Sequence, residues 1–481
     1  MDENGGKDNF KKAFFKNVLI SGGYNYLAQG LTFLSSIVIA RLLSPENYGL
    51  VGLITVFTGF IAVFSDSGIS LAVIKSDFGH TYHKALDNLA LLMGIVLFII
   101  TALLAIPISI FYKNSTLVLP TIVLATTFII RSISLVRGAL LSKQLAFGYL
   151  GKVILVNSIV IIVLTIILAW FGFQHWSIII PQVVSAIVTV IMYERKLRFG
   201  FQLYSFKYIK VAFNYTKTII GSLIGFNLVN YWARNADNLV VGKVYGVADL
   251  GIYSRAYSLL TFPLALITGL MGTVLYPSLK KLKIDGGDVN TEYMYVLRVI
   301  SIIVFPISCI LLLFPDLLVH MLWGDKWAKV GTLLPYFGLL IFSQPLLSSV
   351  GNVLVLEGKE KTLMYSGWTG AFITVSAILF GSMFSMVAIA QYYSLAFIVL
   401  VLPFNIIYIF YYTLKFDRLL LLKFWSPIII LSIAIWFGFY LNLPLFKYSA
   451  IALLFCAIII GSFKEIKGVL VKVKSMLKSK R

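Results

Sequence analysis

Six of the 40 basic residues in this 481-residue chain fall within or at the ends of long apolar stretches: Arg131, Arg137, Lys217, Arg234, Arg255 and Arg298. The comparable acids are Asp66 and Asp237. An ionisable group at bilayer depth costs about 2.5–3.5 kcal/mol on insertion scales, so each must face a cavity, a partner or a helix end. Arg255 and Arg298 lie near helix ends and can snorkel to the surface. Arg234 can pair with Asp237, and Lys217 is close to an end, whereas Arg131 is near the middle of its stretch. Because the guanidinium fork matches phosphate and carboxylate geometry, a surplus of cations at such depth suits an anionic ligand such as a phosphate or a sugar acid. An exporter of cationic drugs calls for the opposite sign.

Neutral polar residues accompany these cations at helical spacing. Thr127, Arg131 and Ser134 keep to one face, and Asn25, Gln29, Thr32 and Ser36 form a second stripe at steps of four, three and four. Asn227, Asn230, Arg234 and Asn238 form a third. Together they predict a hydrophilic cavity. Asp66, in Ser65-Asp66-Ser67-Gly68, either caps a helix break or offers a coupling site for a proton or sodium ion, and Asp237 is the second such candidate. Glycine loops of the phosphate-cradling kind, catalytic triads and metal-ligand clusters are missing. His80 and His83 have only Asp77 and Asp87 nearby, so neither a metal nor any other cofactor is expected.

The elements that position these groups follow from composition. The chain is 59% hydrophobic and 12% charged, with a mean hydropathy of +0.93, where soluble domains run near half apolar and a quarter charged. Cys309 and Cys456 both sit in apolar stretches, which excludes a disulfide scaffold. Fourteen stretches approach the roughly 20 residues needed to cross a bilayer: 18–40, 48–74, 86–112, 116–141, 151–172, 175–193, 211–234, 254–278, 294–315, 332–356, 364–384, 386–412, 425–441 and 446–463. The uncharged turn at Gly381 to Ser385 is the weakest division, and losing it changes the parity of the count.

A net charge of +21 is what a nucleic-acid binder carries, but its distribution points elsewhere. With fourteen spans, 28 Lys and Arg lie in segments on the side of the N-terminus and six in segments on the other. That contrast predicts both termini in the cytoplasm. The polar start before residue 18 and the basic tail after residue 463 read as amphipathic surface segments resting on anionic lipid. No loop has room for a soluble domain.

A shift of 202 residues lays Val38 to Gly49 on Val240 to Gly251 without gaps, with Arg41 on Lys243, Gly49 on Gly251 and Asn25 on Asn227. The apolar stretches predict an all-α integral membrane protein of about fourteen helices, and the repeat divides the first twelve in two. Two six-helix lobes, 18–200 and 201–412, are related by a pseudo-twofold axis along the membrane normal. They are followed by two further helices in 413–463; residues 1–17 and 464–481 are the cytoplasmic ends.

Ile39-Ala40-Arg41-Leu42-Leu43-Ser44-Pro45-Glu46-Asn47-Tyr48-Gly49, Asp66-Ser67-Gly68, and Asp237 to Gly242 leading to Leu250-Gly251-Ile252-Tyr253-Ser254-Arg255-Ala256-Tyr257 resemble the hallmarks of the polysaccharide transporter family. These are the Wzx-type flippases of O-antigen, colanic-acid and exopolysaccharide units, within the superfamily that also holds multidrug transporters. The resemblance implies a non-enzymatic, multi-pass protein of the bacterial inner membrane. Such a protein moves undecaprenyl-pyrophosphate-linked oligosaccharides by alternating access for lipopolysaccharide or other surface-polysaccharide synthesis. It implies as partners the lipid-linked oligosaccharide and membrane lipids, with a polysaccharide polymerase and chain-length machinery as further ones, and no nucleic acid. In that setting Arg131, Arg137 and Lys217, with Arg234, line the cavity and attract pyrophosphate or acidic sugars, while Asn25, Gln29, Asn227 and Asn230 bond sugar hydroxyls. The lipid II branch implies arginines in the first helices, where this chain has only Arg41. The rival readings are an ion-coupled exporter of another substrate and a membrane glycosyltransferase or polymerase.

Overall fold

The computed structural model describes residues 3–463 apart from 66–67, 76–78 and 205; within its helices, the side chains of 3–19, 21, 206, 215, 218–227, 229, 230, 233, 270 and 272–274 are also outside the described set. Every regular element among the described residues is helical. The first half contains α1 (Glu3–Leu42), α2 (Pro45–Ala62), α3 (Ile69–Lys75), α4 (His80–Tyr112), α5 (Val118–Lys143), α6 (Phe147–Trp170), α7 (Trp176–Leu197) and α8 (Phe206–Val244). Then follow α9 (Val247–Ile284), α10 (Val289–Leu313), α11 (Pro315–Trp323), α12 (Leu334–Ser348), α13 (Val350–Leu356) and α14 (Glu360–Gly381). The chain continues through α15 (Met386–Ala396), α16 (Leu402–Asn405), α17 (Arg418–Tyr440) and α18 (Pro444–Gly461). Two π-helical stretches, Phe397–Val401 and Ile406–Thr413, flank α16, where Pro403 lacks the backbone N–H that a regular helix needs.

Eleven of these helical segments are long and apolar enough to cross a bilayer among the described residues. The other expected stretches, 18–40, 48–74 and 211–234, fall on α1, on α2 with α3, and on α8. The stretch 48–74 is interrupted near Ser65-Asp66-Ser67-Gly68, where the sequence allowed a helix break: α2 ends at Ala62 and α3 begins at Ile69, with Gly68 in the left-handed region at φ 90°. The turn that decided the parity does occur. Gly381 closes α14, and the Ser385 hydroxyl accepts the Ala388 N–H at 3.0 Å to start α15. A side chain at position 381 would run into the Ala388 carbonyl, so glycine lets the two helices cross closely.

Two of the eleven bilayer-length helices are little buried. Only 17% of the most apolar window of α6 is inside the protein, and 11% of that of α14. Leu103, Ile110, Phe171, Phe372 and Ile460 are all exposed. Apolar side chains turned outward along whole helices are what a hydrocarbon solvent permits.

The 202-residue offset is exact at the helix ends. Helix α1 stops at Leu42 and α8 at Val244; α2 starts at Pro45 and α9 at Val247. Arg41 and Lys243 occupy equivalent last turns, where a cation offsets the carbonyl end of the dipole. Pro45 starts α2 with its fixed φ, whereas Gly246 makes the turn before α9 at φ 88°. The starts of α2 and α9 then meet reciprocally. A Cβ on Gly49 would overlap the carbonyl oxygen of Val247, and one on Gly251 would overlap that of Pro45. The two contacts are images of each other under the 202-residue offset.

By density of internal packing the chain divides into two compact units, Met1–Gly251 and Ile252–Arg481. The first extends well beyond residue 200 because α8 packs along α2, α3 and α4. Within it α1 lies on α6, and α5 is held by α4 and α7, around a core that includes Ile69, Val73, Leu86, Leu89, Val136 and Phe199. In the second unit α10 packs on α12 and α18, α14 on α15, and α17 on α18. There Arg255 is covered by the rings of Trp323 and Trp327 at 4.9 and 5.7 Å, which fastens α11 and the 3-10 turn Asp325–Thr332.

Gly49→Ala and Gly251→Ala are each expected to destabilise the purified protein by about 1–3 kcal/mol, the usual cost of forcing extra volume into a packed contact. Gly30→Ala, at a site with open space around the new carbon, should leave the thermal midpoint unchanged or raise it. Thermal unfolding of the three variants in one detergent makes the comparison.

Candidate functional site

Helix α5 is packed along its length by α4 and α7, with α2, α3 and α6 adding contacts. Between Pro120 and Lys143 only Arg131 is exposed, about midway along the helix. The Thr127 and Ser134 hydroxyls on its face donate to carbonyls of their own helix, at 2.6 and 2.8 Å. Arg131 is thus the charged group that this otherwise enclosed helix presents to open space.

The structure separates Arg137 from that role, correcting the expectation that both arginines attract ligand. Arg137 is 2% exposed, and its nitrogens are taken up within the protein. One terminal nitrogen meets Asp87 Oδ1 of α4 at 2.9 Å and the Ile133 carbonyl, the other donates to the Gly200 carbonyl at 2.9 Å, and Nε donates to Glu194 Oε2 of α7 at 2.7 Å. Four of the five N–H groups of a guanidinium are thereby used. The Glu194 carboxylate also accepts the Gly200 N–H at 2.6 Å.

Lys84, which falls in the segment between the stretches 48–74 and 86–112, lies in the same cluster and is buried; its ammonium donates to the carbonyls of Phe199 and Gly200 and sits 4.1 Å from the centre of the Phe199 ring. Asn88 adds a bond from Nδ2 to the Gln202 carbonyl at 2.8 Å. Asp87 and Glu194 are therefore further acids within apolar helices, beyond Asp66 and Asp237. Two cations and two anions clamp residues 199–202, the segment that enters α8, onto α4, α5 and α7.

The remaining candidates divide by position. Lys217 and Arg234 are exposed on α8, and Lys217 lies eleven residues into that helix rather than near its end. Asn25 and Gln29 are half-buried on α1, while Thr32 and Ser36 of their stripe donate to the Ala28 and Phe33 carbonyls. Asp237 is buried and accepts the Asn238 backbone N–H at 2.8 Å. Asp66 and the side chains of Asn227 and Asn230 lie outside the described residues. Next to that pair, the Tyr231 hydroxyl donates to the Val56 carbonyl at 2.5 Å and crosses Gly59, and Trp232 packs on Phe60 with ring centres 5.1 Å apart. These contacts pin α8 to α2. A glycine opposite a bulky aromatic leaves no trace in periodicity, but Asp87 and Glu194 could have been found by pairing every acid near a helix end with the cations of neighbouring helices.

Arg137→Ala is expected to cost about 3–5 kcal/mol, because it leaves the buried Asp87 without its partner. It should also speed tryptic cutting at Arg198, which the clamp holds against the bundle. Asp87→Ala combined with Arg137→Ala should recover part of the loss, measured as a double-mutant cycle on thermal unfolding.

Over residues 38–331 the sequence matches the family described as polysaccharide biosynthesis protein. The teichuronic acid biosynthesis protein TuaB of Bacillus subtilis (strain 168) is 24% identical over 313 residues, 64% of this chain and 64% of that one, so just under two thirds of that relative is spanned. The lipopolysaccharide biosynthesis protein WzxC of Escherichia coli (strain K12) is 22% identical over 360 residues, 73% of this chain and 72% of that one. The solved structure of the lipid II flippase MurJ in an inward closed conformation matches 93% of this chain and 100% of its own, with a TM-score of 0.68 at 15% identity, a likeness of fold. With the family match running from the end of α1 to the turn after α11, over more than half of the chain, the protein is a member of the polysaccharide biosynthesis protein family.

Proposed function

We propose that the protein is a flippase that carries undecaprenyl-pyrophosphate-linked oligosaccharides across the bacterial inner membrane for surface-polysaccharide assembly, with both termini in the cytoplasm. The observation that carries this reading is Arg131, a permanent cation exposed at midspan on a helix that is otherwise enclosed. A charge kept in such a place needs a function that outweighs its insertion cost, and an anionic cargo supplies it. Lys217 and Arg234, exposed on α8, extend the same sign. Asn25 and Gln29, with Asn227 and Asn230, supply amides that suit sugar hydroxyls. Arg137 acts indirectly by holding the segment that enters α8.

The movement breaks no covalent bond, so the residues need only attract, shield and release. Asp237 and Asp66 are the groups through which a proton or sodium gradient would drive it. The family membership and the names of TuaB and WzxC support a role in polysaccharide synthesis, and the MurJ-like fold supports alternating access. A polysaccharide polymerase is the partner that would take up the delivered units.

Arg131→Ala should abolish surface glycan at normal protein levels in a complementation assay, and Arg131→Lys should restore part of it. Deleting the gene should leave lipid-linked repeat units on the cytoplasmic face. Full export with Arg131→Ala would overturn the cavity assignment, and normal surface glycan without accumulation in the deletion strain would overturn the function.

A further inference from the structure

The second copy of the repeat carries an insertion that the first lacks. Tyr112 closes α4 and Phe314, 202 residues on, follows the last residue of α10, but α12 begins 216 residues after α5, fourteen more than the offset. The first copy joins its two helices through a single 3-10 turn, Ser115–Leu117; the second uses α11 and the turn Asp325–Thr332. Helix α11 is apolar on two sides. On one, Val319 and Trp323 are buried, with the Trp323 ring against Arg255 and 6.2 Å from that of Trp327. On the other, Phe314, Leu317 and Met321 are 53%, 56% and 63% exposed. They continue a strip that begins on the bilayer-spanning helix α10: Ile303, Pro306, Ile310, Phe314, Leu317 and Met321 are all exposed, at steps of three, four, four, three and four. The Phe314 N–H donates to the Ile310 carbonyl at 3.0 Å, and its own carbonyl accepts the Leu318 N–H at 2.9 Å, so the helical ladder is kept on both sides of the break that Pro315 introduces. Polar groups lie off this strip. Asp316 is folded onto Gly331, where its Oδ1 occupies the place of a Cβ, and His320 pairs with Asp325 at 2.7 Å beside the exposed Lys326 and Lys329.

We propose that α11 is an interfacial helix, seated with Phe314, Leu317 and Met321 among the lipids of the outer leaflet. Lipid is the occupant because the strip runs on from the outward apolar side of α10, which the bilayer already covers, and because charged groups take over where the strip ends. Three large apolar side chains on one edge of a short helix are what a segment lying in the headgroup and acyl boundary presents to the membrane. Which leaflet receives it follows from the orientation proposed above, whereas its seating in lipid does not depend on that orientation. Since Trp323 on the opposite side covers Arg255 of α9, α11 lies between lipid and that arginine, and the seated helix holds the tryptophan cover in place.

The test places the full-length protein in phosphatidylcholine vesicles. Cys309→Ala and Cys456→Ala remove the native thiols, and a nitroxide is attached in turn through Leu317→Cys, Met321→Cys or Asp325→Cys. Power-saturation electron paramagnetic resonance then compares collision with oxygen, which concentrates in lipid, and with a water-soluble nickel chelate. Labels at positions 317 and 321 should lie about 5–10 Å below the headgroups, with oxygen the better relaxant, and the label at position 325 in water. Depth reads the same in either leaflet, so an inverted orientation, or a failure of the flippase reading, would not change the result. Better access for the nickel chelate than for oxygen at both positions 317 and 321 would overturn the proposal, because α11 would then stand in water, open to a protein partner. Exclusion of both relaxants there would overturn it as well, in favour of a second copy of the chain. If the thiol-free protein does not fold, p-benzoylphenylalanine in place of Leu317 or of Met321 in the otherwise unaltered chain is illuminated in the same vesicles. An adduct of phosphatidylcholine mass is expected; a cross-link to a second copy, or no lipid adduct at either position, would sink the assignment.

Discussion

A charge inside an apolar solvent must be neutralised or kept open to water, and the placement of almost every functional group in this protein follows from that requirement. Arg137 and Arg131 stand six residues apart on the same helix and meet it in opposite ways. Arg137 is enclosed by Asp87, Glu194 and backbone carbonyls, and so holds the entry to α8 in place. Arg131 is exposed on the same helix and its charge is not enclosed in that cluster. The enclosed cluster contains as many acids as bases and exerts little net field, whereas the accessible cations of α5 and α8 are positive as a set.

The repeat imposes a second constraint. Two glycines 202 residues apart meet where α2 and α9 begin, each occupying the space that a side chain of the other would need. Close backbone approach of this kind gives membrane helices their van der Waals contact, since lipid tails leave little hydrophobic drive for helices to associate. Because the contact is reciprocal, one small residue type at one motif position serves both copies. The break between α2 and α3 shows that the copies still differ in detail from a simple series of straight spans.

Outside the repeat, α17 and α18 pack on each other and α18 rests on α10. Their junction leaves a cavity of about 240 Å³ lined in part by Arg298 and Lys423.

The all-helical membrane fold, the 202-residue repeat and the excess of cations over acids in the spans were determined by sequence alone. Length and apolarity leave a lipid-embedded chain little choice but helix, and a gap-free register survives in residue order. The turn between α14 and α15 was legible for the same local reason, through Gly381 and a serine cap. What only tertiary structure decided is which charges find partners. Arg131 and Arg137 are alike in composition, spacing and hydropathy, and they differ because Asp87, Glu194 and the Gly200 carbonyl arrive from three other segments at one of them. Such meetings depend on which helix faces lie together, and no one-dimensional pattern encodes that. For the same reason Lys84, which lies between two apolar stretches, proved to be buried, and Gly49 and Gly251, aligned by the repeat, proved to touch.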